Sequence, residues 1–270
     1  MRPAEIKSVL NELQLVPTKG KGQNFLTDDD VARREVDFLG IEPGETVLEV
    51  GPGLGVLTRF LVEKADKVIT VELDRKLAAY IQDRFGAKVE MVQGDALEVE
   101  LPSFDRFISN VPYSISSPLI FRLLEHEFKS AVIMVQKEFA DRMVAAPDSD
   151  DYSRLTVSVY YRAQCERLEQ VPRNKFWPEP EVDSTVLRLT PRPPPFHVHD
   201  EKFFFRLVEK LFGQRRKKIG TVLKKSDFLR PEQLDGLPFL DDRVEALTPE
   251  QIGHLANMVW EKKKVGVARQ

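Results

Sequence analysis

From Thr46 onward, short apolar runs recur at intervals that a helix can fill: TVLEV (46–50), KVITVE (67–72), KVEMVQ (88–93), FDRFISN (104–110) and AVIMVQ (131–136). Strand-length runs alternating with helix-length segments predict an α/β fold, a mainly parallel sheet with helices on both faces. Two more strand-like runs, LTVSVYYR (155–162) and STVLRLT (184–190), have no long helical spacer between them and are expected to close the sheet as an antiparallel pair. PRPPP (191–195) then reads as a stiff linker. Beyond it Phe203, Phe204, Leu207, Val208, Leu211 and Phe212 form a helical stripe that stops at Gly213, and Thr248, Pro249 and Gln251 make a capping-box start for Ile252, Leu255, Ala256 and Val259. The expected division is an α/β domain over residues 1–190 and a small helical domain over 191–270.

Ahead of the sheet, Ile6, Val9, Leu10 and Leu13 recur at helical spacing until Pro17 breaks the pattern. TDDD (27–30) offers a cap for a second helix through Val31, Val36 and Leu39, with Gly40 as its stop. No run approaches the roughly 18 apolar residues of a membrane span, and the charged N-terminal segment lacks a secretory core. The one cysteine, Cys165, cannot form an internal disulfide, which fits a reducing cytoplasm. One Cys and four His leave little material for a zinc site, and His197 and His199 beside Asp200 lack an obvious fourth ligand, so no metal is expected.

The sharpest local feature is Glu49-Val50-Gly51-Pro52-Gly53-Leu54-Gly55, where the first of these strands should end and a helix begin. Glycines there let the backbone approach a ligand, and a helix N-terminus aims N–H groups at it. Glu72 follows Gly51 by 21 residues at the end of the next strand, where an acid accepts hydrogen bonds from ribose hydroxyls. Val56 stands where a dinucleotide fingerprint wants its third glycine, so a pyrophosphate binder is the weaker reading. Gly51 and Gly53 with acids at 49 and 72 point instead to S-adenosylmethionine, and a tight turn without ligand is the bland alternative. Asp95 follows the third strand, as an acceptor for an adenine amino group or as a solvated turn residue. Asn110-Val111-Pro112-Tyr113 follows the fourth. Four such signals at successive strand ends fall on the edge where open α/β sheets bind ligands.

The NVPY segment suits methyl transfer to an adenine amine. The N6 lone pair is delocalised into the ring, so a catalyst needs acceptors for the amino hydrogens and an aromatic surface that holds the base. Asn110 and the Val111 carbonyl offer the acceptors, and Tyr113 the stacking face. Positioning and electrostatics then carry the rate. A base inside a duplex cannot reach such a pocket, so the target is unpaired or flipped out.

Gln23-Asn24-Phe25-Leu26, the EVGPGLGVLT block, VELD (71–74), GDAL (94–97), NVPY and FWPEPEVDS (176–184) occur in one order over about residues 20–220. In this the chain resembles the KsgA-type ribosomal RNA adenine dimethyltransferases. The resemblance implies a Rossmann-like, S-adenosylmethionine-dependent fold with a small C-terminal helical domain. It implies dimethylation of two adjacent adenosines near the 3′ end of small-subunit rRNA, on the RNA or a pre-ribosomal particle, by a cytoplasmic monomer. It also implies S-adenosylmethionine contacts at Asn24, Leu26, Gly51, Glu72, Asp95 and Asn110, and an aromatic pair, Tyr113 and Phe176, around the target base. By themselves QNFL reads as a loop, and Phe176 and Trp177 as packing on a turn.

The chain's net charge of −3 argues on its face against a nucleic-acid partner. It is an average. Residues 202–230 carry ten Lys and Arg against Glu209 and Asp227, a local +8 that leaves −11 elsewhere. Arg215, Arg216, Lys217 and Lys218 form the densest piece, read as a phosphate-contacting patch or as a solvated face. Lys262 to Lys264 read as cations closing the last helix. Three further readings stay open: an Erm-type enzyme of large-subunit rRNA, an RNA-binding assembly factor with the same fold, and, more distantly, a nicotinamide oxidoreductase.

Overall fold

The computed structural model describes residues 1–16 and 24–268, with side chains to residue 264 in the final helix. The Pro17 break and Gln23 of the QNFL motif lie outside the described residues. The chain divides into two compact units, Met1–Ala140 with Gln164–Pro191, and Asp141–Ala163 with Arg192–Gln270.

In the first unit α1 (Pro3–Glu12), β1 (Phe25–Leu26) and α2 (Asp29–Leu39) precede the sheet. Asp28 caps α2 by accepting the N–H groups of Asp30 and Val31, and Gly40, at φ 62°, ends it in the left-handed region. The sheet then builds as the apolar runs predict: β2 (Thr46–Val50), α3 (Thr58–Lys64), β3 (Lys67–Glu72), α4 (Arg75–Phe85), β4 (Val89–Gln93), β5 (Arg106–Asn110), α5 (Ser116–Leu123) and β6 (Ser130–Gln136). The chain leaves this unit within α6 (Lys137–Met143).

LTVSVYYR is not a strand. It forms α7 (Arg154–Arg162) and belongs to the second unit. Its β-branched residues favour a strand locally, but burial decides: Leu155, Val157, Val159 and Tyr161 are all buried, and Val157 and Tyr161 join a helical core with Phe204, Leu207, Val208 and Leu255. Thr156 Oγ1 accepts the Ser153 N–H at 3.0 Å, a capping bond at the helix start. The strand begins directly afterwards as β7 (Ala163–Val171), followed by β8 (Phe176–Trp177) and β9 (Ser184–Pro191). The expected division into 1–190 and 191–270 has no counterpart of the excursion over 141–163, which groups with the second unit.

The seven-stranded sheet has the order β4-β3-β2-β5-β6-β9-β7. The pairs β4-β3, β3-β2, β2-β5 and β5-β6 are parallel, and β9 runs antiparallel to β6. Strand order reverses between β2 and β5, which opens a crevice at their C-terminal ends. A two-stranded ribbon sets Phe25 opposite Trp177 and Leu26 opposite Phe176.

The second unit contains α7, α8 (Glu201–Phe212), α9 (Ile219–Lys224) and α10 (Pro249–Ala268). Asp200 caps α8 and Gly213 follows its last turn, while Thr248 and Gln251 exchange the two bonds of a capping box. Lys262–Lys264 do not close α10, because it continues to Ala268. Lys262 donates instead to the Asp235 carbonyl at 2.6 Å, and Lys263 lies over the Phe203 ring.

Candidate active site

The C-terminal ends of β2, β3, β4 and β5 border one cleft of about 450 Å³. Asn24, Leu26, Gly51, Gly53, Glu72, Asp95, Asn110, Tyr113 and Phe176 all line it, so the cofactor and base residues expected from the sequence converge on one place. Asn24 and Leu26 reach it through the ribbon, where Leu26 faces Phe176 across the strand pair.

The loop after β2 takes positive φ at Gly51, Gly53 and Gly55 (71°, 56° and 77°), which only glycine adopts without strain. The Gly51 N–H donates to the Val71 carbonyl at 2.9 Å, and Gly55 N–H to the Pro52 carbonyl at 2.8 Å. Glu72 ties the loop to β3: one oxygen accepts the Gly53 N–H at 3.2 Å and the other the Asp74 N–H at 2.9 Å. Burial raises the Glu72 carboxyl, with these backbone bonds acting against it. Glu49 is deeper still. Burial pushes its carboxyl up to about 8, while a 2.7 Å bond from the Thr58 hydroxyl pulls it down. Asp95 accepts the Leu97 N–H at 2.8 Å.

Asn110 ends β5, and the Val111 N–H after it donates to the Met134 carbonyl at 3.0 Å. Both polar atoms of the Asn110 carboxamide are buried without a hydrogen bond of regular geometry, a cost a native fold rarely bears without a use for the group. Beside it, the Tyr113 hydroxyl lies 3.2 Å from Ser184 Oγ, and burial raises the phenol. The buried Phe176 ring is shared between the core and the cleft wall.

A family model for ribosomal RNA adenine dimethylases matches residues 18–259. The chain belongs to that family. Its methyl donor is S-adenosyl-L-methionine and it is an rRNA adenine methyltransferase. The dimethylase is 44% identical over 269 residues to "Probable ribosomal RNA small subunit methyltransferase A" of Methanosarcina acetivorans, covering 96% of this chain and 99% of that one. It is 40% identical over 253 residues to the protein of the same name from Thermococcus gammatolerans, covering 91% and 90%. Among solved structures it is similar to a dimethyladenosine transferase from Plasmodium falciparum (TM-score 0.77, 29% identity, 89% of this chain and 98% of that one). It is also similar to the 23S rRNA methyltransferase ErmE (TM-score 0.65, 32% identity, 87% and 99%).

In the second unit of this dimethylase the basic quartet is not uniform. Arg215 donates to Glu245 at 2.7 Å and to the carbonyls of Asp150 and Ser149, which ties the segment before α7 to the α8–α9 turn. Lys218 pairs with Asp241 at 2.9 Å on the surface. Arg216 and Lys217 are exposed.

Three residues that line the cleft, Met1, Ile6 and Ser184, and one buried beneath it, Glu35, carry no site role in the sequence reading. Met1 and Ile6 of the N-terminal segment line the cleft, and nothing in their spacing distinguishes them from ordinary core positions. Ser184 stands out in the sequence only as the last residue of FWPEPEVDS. Glu35, behind Asn110, carries a readable signal: an acid that interrupts the apolar face Ala32, Val36, Leu39 of α2. No helix among the described residues is long and apolar enough to cross a membrane.

Proposed function

We propose that this chain converts two adjacent adenosines near the 3′ end of small-subunit rRNA to N6,N6-dimethyladenosine during small-subunit assembly, acting as a monomer in the cytoplasm. The observation that carries the reading is Asn110: a buried carboxamide neither of whose polar atoms closes a hydrogen bond of regular geometry, lining the same cleft as Tyr113. The relatives at 40–46% identity named for the small subunit support the choice of rRNA.

The cleft fits the methyl donor, since glycine backbone at positive φ, the Glu72 carboxylate and Asp95 supply close approach and acceptors along one wall. Gly51, Gly53, Glu72 and Asp95, with Asn24 and Leu26, would hold it. When bound, S-adenosylmethionine supplies an electrophilic methyl group. Asn110 accepts a hydrogen from the target amine and so reduces delocalisation of the N6 lone pair into the ring. Tyr113, anchored at Ser184 and kept neutral by burial, and Phe176 hold the base by its faces. None of this demands a strong general base, since the amine becomes acidic once methylated, and orientation supplies most of the rate.

The helical unit, through Arg216 and Lys217 and with Arg215 and Lys218 bracing them, serves as a phosphate-contacting surface for structured RNA. An Erm-type activity on large-subunit rRNA is the second reading, favoured by the 32% identity to ErmE. The small-subunit relatives at higher identity outweigh it. The test is Asn110→Ala. Methyl transfer should fall at least about 100-fold with RNA binding unchanged, as expected for loss of an electrostatic contact made in the transition state. Full activity would remove the proposed role.

A further inference from the structure

α2 packs against the sheet face that carries Ile108, Val132 and Met134, with Ala32, Val36 and Leu39 joining them in one apolar core. Glu35 shares that helix face and is 0% exposed. Asn110 follows Ile108 by two residues on β5 and is paired in register with Met134, so its side chain projects on the same face. The Glu35 carboxyl and the Asn110 carboxamide therefore meet beneath the cleft. Asn110 is the larger of two influences that favour the charged form of Glu35, yet no polar atom of either side chain closes a hydrogen bond of regular geometry. A buried acid with no strong partner is costly, and a fold that retains one has a use for it.

A carboxamide is ambiguous. Its two heads have nearly the same shape, but only Oδ1 accepts a hydrogen from the target amine, and Nδ2 in that place would repel it. We propose that Glu35 is a positioning residue: it accepts from Asn110 Nδ2 and so fixes Oδ1 toward the amine. This rests on the role for Asn110 argued above. An ionised carboxyl only accepts, so it admits one amide orientation. A protonated carboxyl also donates, and admits the reversed one.

Glu35 is therefore expected to impose a pH dependence. The charged groups bearing on it are Glu169 of β7 and Glu49 of β2, which oppose its ionisation, and Arg34, its neighbour on α2, which favours it. Burial, the largest influence, raises its carboxyl well above the ordinary range. As pH falls through that raised value, the amide loses its fixed orientation and the methyl-transfer rate falls with it.

The test is a double-mutant cycle on the full chain, by single-turnover transfer of tritiated methyl to small-subunit particles lacking the modification. Glu35→Gln, itself able to present either head, should lower the saturating single-turnover rate by about tenfold while affinities for S-adenosylmethionine and RNA stay within about twofold, the pattern of an interaction made only in the transition state. The acid limb of the wild-type profile should disappear in this variant. Glu35→Met, which fills the volume without polar atoms, should show the same loss if the Gln variant folds poorly. In the Asn110→Ala background neither change should lower the rate further. An equal loss in both backgrounds, or a Glu35→Gln enzyme with wild-type rate and acid limb, would overturn the proposal while leaving Asn110 in place. A fully active Asn110→Ala enzyme would remove the underlying reading, and this proposal with it.

Discussion

Glu72 Oε2 accepts the backbone N–H of Gly53 at 3.2 Å, and Oε1 of the same carboxylate accepts that of Asp74 at 2.9 Å. One side chain thus sets the glycine loop after β2 and the start of the turn after β3, and still has lone pairs for a ribose. Glu72→Gln leaves one head that cannot accept, facing one of the two N–H groups. Leaving a buried donor unsatisfied costs about 1–3 kcal/mol, so affinity for S-adenosylmethionine should fall about tenfold or more. Calorimetric titration checks this, and unchanged affinity would show the loop to be held by other means.

The three loop glycines are not equivalent. A Cβ on Gly55 would sit 2.7 Å from the Phe85 ring and 3.0 Å from Ile81, at φ 77°. On Gly51 the nearest atoms, of Pro112, are 3.9 Å away at φ 71°. Both alanine substitutions strain the backbone, but only Gly55→Ala also clashes with α4. It should be the less stable of the two by about 1–3 kcal/mol in urea unfolding. Equal midpoints would contradict the packing described.

Arg215 and its neighbours divide the basic segment between folding and binding. Arg215→Ala removes bonds to Glu245, Asp150 and Ser149 and should lower stability by about 1–3 kcal/mol. Arg216→Ala and Lys217→Ala should leave the melting temperature in place. Together they should reduce the slope of log affinity for RNA against log salt by about 2, roughly one per lost phosphate contact. An unchanged slope would mean that this surface meets only solvent.

Glu49 gives a pH signature in stability. Its carboxyl is raised from 4.5 to about 8, so the folded chain retains a proton that the unfolded chain has already released. Across that interval the unfolded state binds fewer protons, and stability attributable to this group falls as pH rises, levelling off above the folded value. Glu49→Gln, which still accepts from Thr58, should match the wild type near pH 4.5 and become progressively more stable than it toward pH 8. Thermal unfolding over that range reads the difference directly, and parallel curves would contradict it.

The strands of the parallel sheet were legible because each combines an apolar run with a local break, and those cues need no knowledge of distant residues. The glycine loop and Glu72 were legible for the same reason, since loop and acid lie on neighbouring strands. LTVSVYYR misled because its alternation of β-branched and polar residues is a strand signal. Its helical state comes from burial against residues near 204 and 255, which local sequence does not encode. The ribbon that brings Leu26 to Phe176 is a contact across some 150 residues of chain, so Asn24, Leu26 and Phe176 were reached by resemblance and not by pattern. The basic quartet was visible as charge, but which of its members are spent on the fold depends on carbonyls in the 141–163 excursion.

The most direct test of the account is transfer of tritiated methyl from S-adenosylmethionine to small-subunit particles lacking the modification, with the labelled nucleosides identified and mapped. The account predicts N6,N6-dimethyladenosine at two adjacent positions near the 3′ end of small-subunit rRNA. Label on large-subunit rRNA, or no transfer to either RNA, would contradict it.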